Sequence, residues 1–456
     1  MKKIRHRLLA LLLAALMTVM AVPVYGQETL DALAVGKGYT ADTLLGSGIL
    51  AAGDSVSDWV AIAAGRAGES GGAANYLKAL ESYVTKAYKE ENGLHRIKAT
   101  EWHRISLAVL ALGGDPTAFG KDAGGKPINL IADGTYNFSA AGSLGAQGLN
   151  GWIFALITLD SGRFAVPEGA KYTRQSILQA LAEAQGTDGG FGLSAGSTDV
   201  DITAMALQAL APYQNSTVTY TGAGEKKVTV REIIDAGLDW LSRQQTAEGD
   251  FISWDTPNLE STAQVAIALC SLGIDPSSDE RFVKGAASVA DGLLRYRLAD
   301  GTFCHARGLE SDVMATEQAI LAQEAMERLE KEERSLYDFR APLAEDTRSQ
   351  IAQLNEAIAG VSRWTQQQAQ ELYDRYRAVP AEERSYVYAA GTLLAQLEPL
   401  GIETAAEDPA GAYDLRTAAA QTASSGSAVI WIVSGAAVAA AAGIFIWIKR
   451  RKACTK

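Results

Sequence analysis

A glycine turn that returns along the middle of the chain does most to limit what this sequence can fold into. It reads Asn92-Gly93-Leu94, Asp133-Gly134-Thr135-Tyr136, Asp188-Gly189-Gly190-Phe191, Glu248-Gly249-Asp250-Phe251 and Asp300-Gly301-Thr302-Phe303, with a period of roughly 41–60 residues. Before each turn lies an amphipathic helical pattern, as at 173–185 and 230–245. After it comes a second helix, small and apolar almost all round, at 105–112, 149–159, 202–211, 261–272 and 314–325. A helix with one polar face lies at the surface, whereas one that is apolar on every side is buried on every side. The alternation predicts an inner set of helices wrapped by an outer set. The glycines supply left-handed turns at helix C-termini, and the aromatic wedges each hairpin against its neighbour.

Counting Ser57 through Gly65 as the first inner helix gives six hairpins, so the expected fold is all-α, an (α/α)6 toroid over residues 40–330. Closing a ring removes the exposed repeat ends that a linear array must cap. Two stretches carry a family resemblance. Gln185-x-x-Asp188-Gly189-Gly190-Phe191-Gly192, followed by Asp199-Val200-Asp201-Ile202-Thr203-Ala204-Met205-Ala206-Leu207, resembles the prenyltransferase/squalene-cyclase repeat. Glu260-Ser261-Thr262-Ala263-Gln264 through Leu272-Gly273-Ile274-Asp275-Pro276 resembles the following repeat in the corrinoid-carrier branch, and is similar to bacterial surface proteins on the same toroid. The resemblance implies a fold that hosts cyclases, protein prenyltransferases, lyases and ligand carriers. It makes a corrinoid one candidate ligand, although those carriers close over it with a small β-domain and residues 333–402 here read as helices.

The two ends place the body outside a membrane. Residues 1–26 read as a signal peptide: basic to Arg7, apolar from Leu8 to Val22, with Val24-Tyr25-Gly26 at the cleavage position. Residues 428–448 carry no charge, and at ~1.5 Å per residue 21 of them make a helix of ~31 Å, a bilayer span. Trp431 and Trp447 sit at interfacial depth, and the basic tail 449–456 orients the span with the body extracellular. The Gram-positive sorting pentapeptide LPxTG does not occur at 418–427, so a retained anchor is expected. Net charge is −12; with nine basic residues at the ends, 32 Lys/Arg face 53 Asp/Glu in between, a balance of −21. So acidic a body repels phosphate backbones, which excludes nucleic acid as a partner.

After the toroid, 341–400 read as a three-helix spacer, with Ile351, Leu354, Ile358 and Val361 at helical spacing and Pro380 opening the third helix. Residues 402–427 read as a flexible tether. No Cys-x-x-Cys is present and His95, His103 and His305 are scattered, so no metal or other cofactor is expected. The sequence leaves the pairing of Cys270 with Cys304 open.

The candidate site is the end where the inner helices begin, since free N–H groups and helix dipoles favour polar ligands there. Asp58, Glu101, Asn150, Asp199, Asp201, Glu260 and Asp312 open these helices, and Trp59, Trp102, Trp152 and Trp254 stand beside several of them. They read either as a ligand cleft with aromatic walls, with His103, Asp199, Asp201 and Glu260 as polar contacts, or as N-caps and rim packing. Resemblance to the hopene-cyclase DxDD motif would place Asp201 as the alkene-protonating acid, but Ile202 stands where the last aspartate belongs. A lyase would use His95, His103 and Arg104. The expected function is a membrane-anchored extracellular protein that captures a small-molecule or glycan ligand, against the alternatives of a cyclase-like or lyase-like enzyme and a structural adhesin.

Overall fold

The computed structural model describes residues 50–68 and 71–414. The expected signal peptide, membrane span and basic tail lie outside the described residues. Those described are mostly helical, with two short two-stranded hairpins, and none of their helices is long and apolar enough to cross a membrane.

Eleven helices come first: α1 (Ser55–Arg66), α2 (Ala73–Glu91), α3 (Thr100–Ala111), α4 (Leu130–Gly134), α5 (Asn150–Ser161), α6 (Arg174–Ala184), α7 (Val200–Leu210), α8 (Val230–Gln244), α9 (Leu259–Ser271), α10 (Val289–Leu294) and α11 (Val313–Glu330). Each odd-numbered helix packs on the next odd-numbered one, and α11 returns to α1; each even-numbered helix packs on the odd-numbered helix before it. The cause is the pattern of side chains. Every residue from Ser261 to Cys270 of α9 is buried, whereas α2 buries only Tyr76, Leu80 and Val84. Strands β1 (Thr219–Thr221) and β2 (Lys227–Thr229) pair between α7 and α8, and β3 (Phe251–Ser253) and β4 (Thr256–Asn258) pair ahead of α9.

The repeat is visible in its hydrogen bonds. Phe191, Phe251 and Phe303 each donate their backbone N–H to the hydroxyl of a threonine one turn into the next inner helix, namely Thr203, Thr262 and Thr316. The caps repeat as well: Asp199, Asn258 and Asp312 accept from the third backbone N–H of α7, α9 and α11. Gly249 has φ +88°, and a Cβ there would strike the Ser288 carbonyl, so the turn needs glycine. One turn was misread. Asp133 and Gly134 end α4 rather than form a left-handed turn, and Gly134 is small because Trp102 packs on it.

Cys270 and Cys304 are both buried and both free. Burial pushes the Cys270 thiol well up, and Cys304 Sγ points at the Tyr296 carbonyl. A reductant is therefore expected to leave the melting temperature unchanged, and the native thiols should resist alkylation until the chain unfolds; a fall in melting temperature under reductant would reveal a disulfide.

Residues 345–397 form a second core from α12 (Glu345–Ala359), α13 (Gln366–Ala378) and α14 (Ala390–Leu397). The third helix begins at Ala390, not at Pro380, because 381–386 make a 3-10 turn whose Glu383 is drawn into an ion network. Arg334 grips Glu383 at 2.8 and 2.9 Å, and Arg340 reaches both Glu383 and Asp338. The unit does not stand off as a spacer. Asn215 donates to the Arg384 and Val387 carbonyls, Gln214 donates to the Ser385 carbonyl, and Tyr388 packs on Gly273. These partners lie just past the C-terminal ends of α7 and α9, which the unit covers.

The tether reading fails over 402–414. Ile402 is buried, Glu407 pairs with Arg377 and Arg384, and α15 (Pro409–Tyr413) lies against α6, followed by Asp414 beside Val166 and Arg174. A polar, alanine-rich composition looks like a linker, but the charges are consumed in specific pairs. The rest of the expected tether lies outside the described residues.

Candidate functional site

The odd-numbered helices α1 to α11 bring neighbouring N-termini together. Arg104 of α3 donates to Asp58 of α1 at 3.0 Å and to Glu101 at 2.7 Å. Thr100, Gln147 and Asn150 form a hydrogen-bonded chain from α3 to α5. Ser253 of the β3–β4 hairpin donates to Asp199 at 3.2 Å, and His305 Nδ1 lies 2.8 Å from Glu260 Oε2. The second core packs at the opposite ends of these helices and leaves this polar end uncovered by it.

Most of the sequence candidates are structural there. Trp102 is 3% exposed; its Nε1 donates to Tyr88, which donates to Asp133, all toward the outer helix α4. Trp152 is buried edge-on against Tyr172. His103 is fully buried with Nε2 2.6 Å from the Gly134 carbonyl, and burial pushes its pKa down to about 4, so it stays neutral. These three leave the ligand set because each side chain turns outward from the inner helices or into the core. The lyase set goes with them: Arg104 is locked between two carboxylates, His103 is sealed, and His95 Nδ1 accepts from the Ile97 and Lys98 backbone N–H groups. Asp58 and Glu260 are not caps, because Asp54 and Asn258 occupy those positions.

Trp59 does face inward. It meets Phe154 of α5 edge-on at 5.8 Å, although α1 and α5 are not neighbours, so an aromatic pair bridges the interior one turn below the open end. Beyond it Gln208, Gln264 and Gln318 link α7, α9 and α11 through bonds of 2.9 and 2.6 Å, and Gln318 donates to Glu317. Burial pushes the Glu317 carboxyl well up.

Asp201 is the remaining acid and the most perturbed at this end. It stands in the first turn of α7, half-buried, and its Oδ1 has no hydrogen-bond partner. Burial, with the Asp199 carboxylate beside it, pushes the Asp201 carboxyl up to about 7; the hydroxyl of Ser261 acts in the opposite sense and Glu260 adds to the rise. Ser261 is itself fully buried, and its hydroxyl is directed at the Asp201 carboxyl as a hydrogen-bond donor. Sequence reading missed Ser261 and His305, because both reach Asp201 from segments far along the chain. A raised pKa keeps a proton on Asp201 near neutrality but makes it a weak acid, whereas alkene protonation calls for a strong one.

Among the described residues no group of three or more His, Cys, Asp or Glu side chains is arranged to hold a metal ion. A cavity of about 50 Å³ lined by Asp160, Gln208, Tyr337, Ser385 and Tyr388 lies at the covered end and has room for little more than water. No family model matches the chain, and a search of curated proteins gives no match.

Proposed function

We propose that the chain is an outward-facing, membrane-anchored binding protein whose helical repeats close into an (α/α)6 toroid of the prenyltransferase/squalene-cyclase kind, and that it captures a small ligand at the inner-helix N-termini. The observation that carries the reading is the buried Asp201 Oδ1, left without a partner at this end although Ser261 faces the same carboxyl. A buried polar atom without a partner is destabilising, so it persists where an occupant supplies the missing bond. The raised pKa of Asp201, beside Asp199 and Glu260, points the same way. Closure of the ring is supported by the packing of α11 back on α1. The Trp59–Phe154 bridge bounds the depth of the site and favours a ligand that enters by one end. A corrinoid is one candidate, held at the rim rather than clamped, since the second core covers the far end.

Thermal-shift titration of the full chain in detergent with corrinoids, isoprenoids and oligosaccharides tests this. At least one class should raise the melting temperature of the wild type and not of Asp201→Asn. Equal shifts in both proteins, or none in either, would remove Asp201 from any ligand site.

A further inference from the structure

Among the described residues, the large apolar side chains left exposed gather at the open end. Ile97 precedes α3, Ile252 and Trp254 lie on the hairpin before α9, Leu309 and Val313 introduce α11, and Tyr83 leans on Gly53 just ahead of α1. Apolar residues scattered singly need no explanation, but a set confined to one end marks a contact surface. Trp254 is the sharpest case, at 78% exposed. It and Asp255 are the two turn residues of the β3–β4 hairpin, with φ +53° and +63°. That turn favours Asn and Gly, and a bulky residue in the left-handed region is strained. Neither burial nor backbone preference accounts for a tryptophan there, and strain of this kind collects at functional positions. The hairpin is also tied to the acid cluster, through Ser253 to Asp199 and through the Phe251 N–H to Thr262 of α9.

Resting on the binding reading above, we propose that the ligand is a small organic ammonium ion on an apolar body, its charge taken by Asp201 with Ser261 and its body held by Trp254 and the apolar rim. Charge complementarity selects the cation. The groups facing Asp201 are Asp199 at the start of its own helix, Glu260 of α9 and His305 of the segment before α11, with Asp312 acting on His305. Four carboxyls thus share one imidazole, which Glu260 already engages at 2.8 Å. An ammonium group supplies donors to Asp201 Oδ1, offsets the acidic excess and favours an aromatic face, whereas a neutral polyol supplies only donors. Binding the cation displaces the Asp201 proton to solvent. Rising pH ionises Asp201 and removes charge from His305, whose pKa its bond to Glu260 raises, so both titrations tighten cation binding.

The test is calorimetric titration of the full chain in detergent with phenethylammonium and its neutral isostere 2-phenylethanol. Phenethylammonium should bind at pH 8 and weaken about tenfold per pH unit once pH falls below the Asp201 pKa. Asp201→Asn should lose tenfold or more and the pH dependence with it, and Trp254→Ala about two- to fivefold. Equal binding of 2-phenylethanol, or phenethylammonium binding indifferent to pH and to Asp201→Asn, would overturn the cation assignment. So would binding of neither probe. A corrinoid, isoprenoid or oligosaccharide shift that still requires Asp201 would then leave the binding site standing and only its ligand class wrong.

Discussion

With both proteins freed of ligand, Asp201→Asn is expected to melt several degrees above the wild type at pH 8 and to match it near pH 4. The unfolded carboxyl titrates near 3.8, whereas the folded one is held up to about 7 by burial and by Asp199. Between those values the native state keeps a proton that the unfolded state has lost, so stability declines as pH rises and the decline stops above the folded pKa. At one pKa unit per ~1.4 kcal/mol, ionising Asp201 at pH 8 opposes folding by up to roughly 4 kcal/mol. Asn has the same shape and no charge to desolvate, so the gap between the proteins should open from pH 4 to 7 and then hold. Thermal melts across that range measure it. A variant that melts lower at pH 8 would mean Asp201 is a structural residue. A residue that weakens its own fold where it stands is retained for use, the familiar conflict between stability and function.

The largest loss is expected from Arg174→Ala, on the opposite face. Arg174 is fully buried at the first position of α6; it donates to Asp160 Oδ1 and to the Leu159 carbonyl, both at 2.8 Å, and stacks on Tyr413. Tyr213 holds the other Asp160 oxygen at 2.7 Å, and Asp414 lies 3.7 Å from the guanidinium. Removing the arginine leaves two carboxylates in the core. Burial already pushes the Asp414 carboxyl up to about 6, with Arg174 working against that rise. Breaking a buried pair from one side costs about 3–5 kcal/mol. Urea unfolding should show this as a lower midpoint, and protease should cut within 402–414 once α15 loses its anchor. A loss under ~1 kcal/mol would show that Arg163, 3.5 Å from Asp160, replaces it.

The repeat was legible because burial writes a period. Phe191, Phe251 and Phe303, and the apolar helices that follow them, sit where their spacing put them, and Asp199 and Asp312 cap helices as their residue types suggest. The site was legible only in part. A helix apolar on all sides has no face to read, so nothing local separated the outward Trp102 and Trp152 from the inward Trp59. Asp54, not Asp58, took the cap of α1, and Asp58 turned instead to Arg104 and Tyr76, partners 46 and 18 residues away. Ser261 and His305 reach Asp201 only through tertiary packing. The docking of 402–414 was hidden for the same reason, since Glu407 pairs with residues of the second core while Asp408 and Asp414 reach α6.

Native mass spectrometry of the full chain, released in detergent from the cells that produce it, tests the central claim most directly. Wild-type protein should carry a small-molecule mass above that of its chain, and Asp201→Asn purified in parallel should carry none. Bare wild-type protein, or the same added mass on both, would contradict a ligand site built on Asp201 at the inner-helix N-termini.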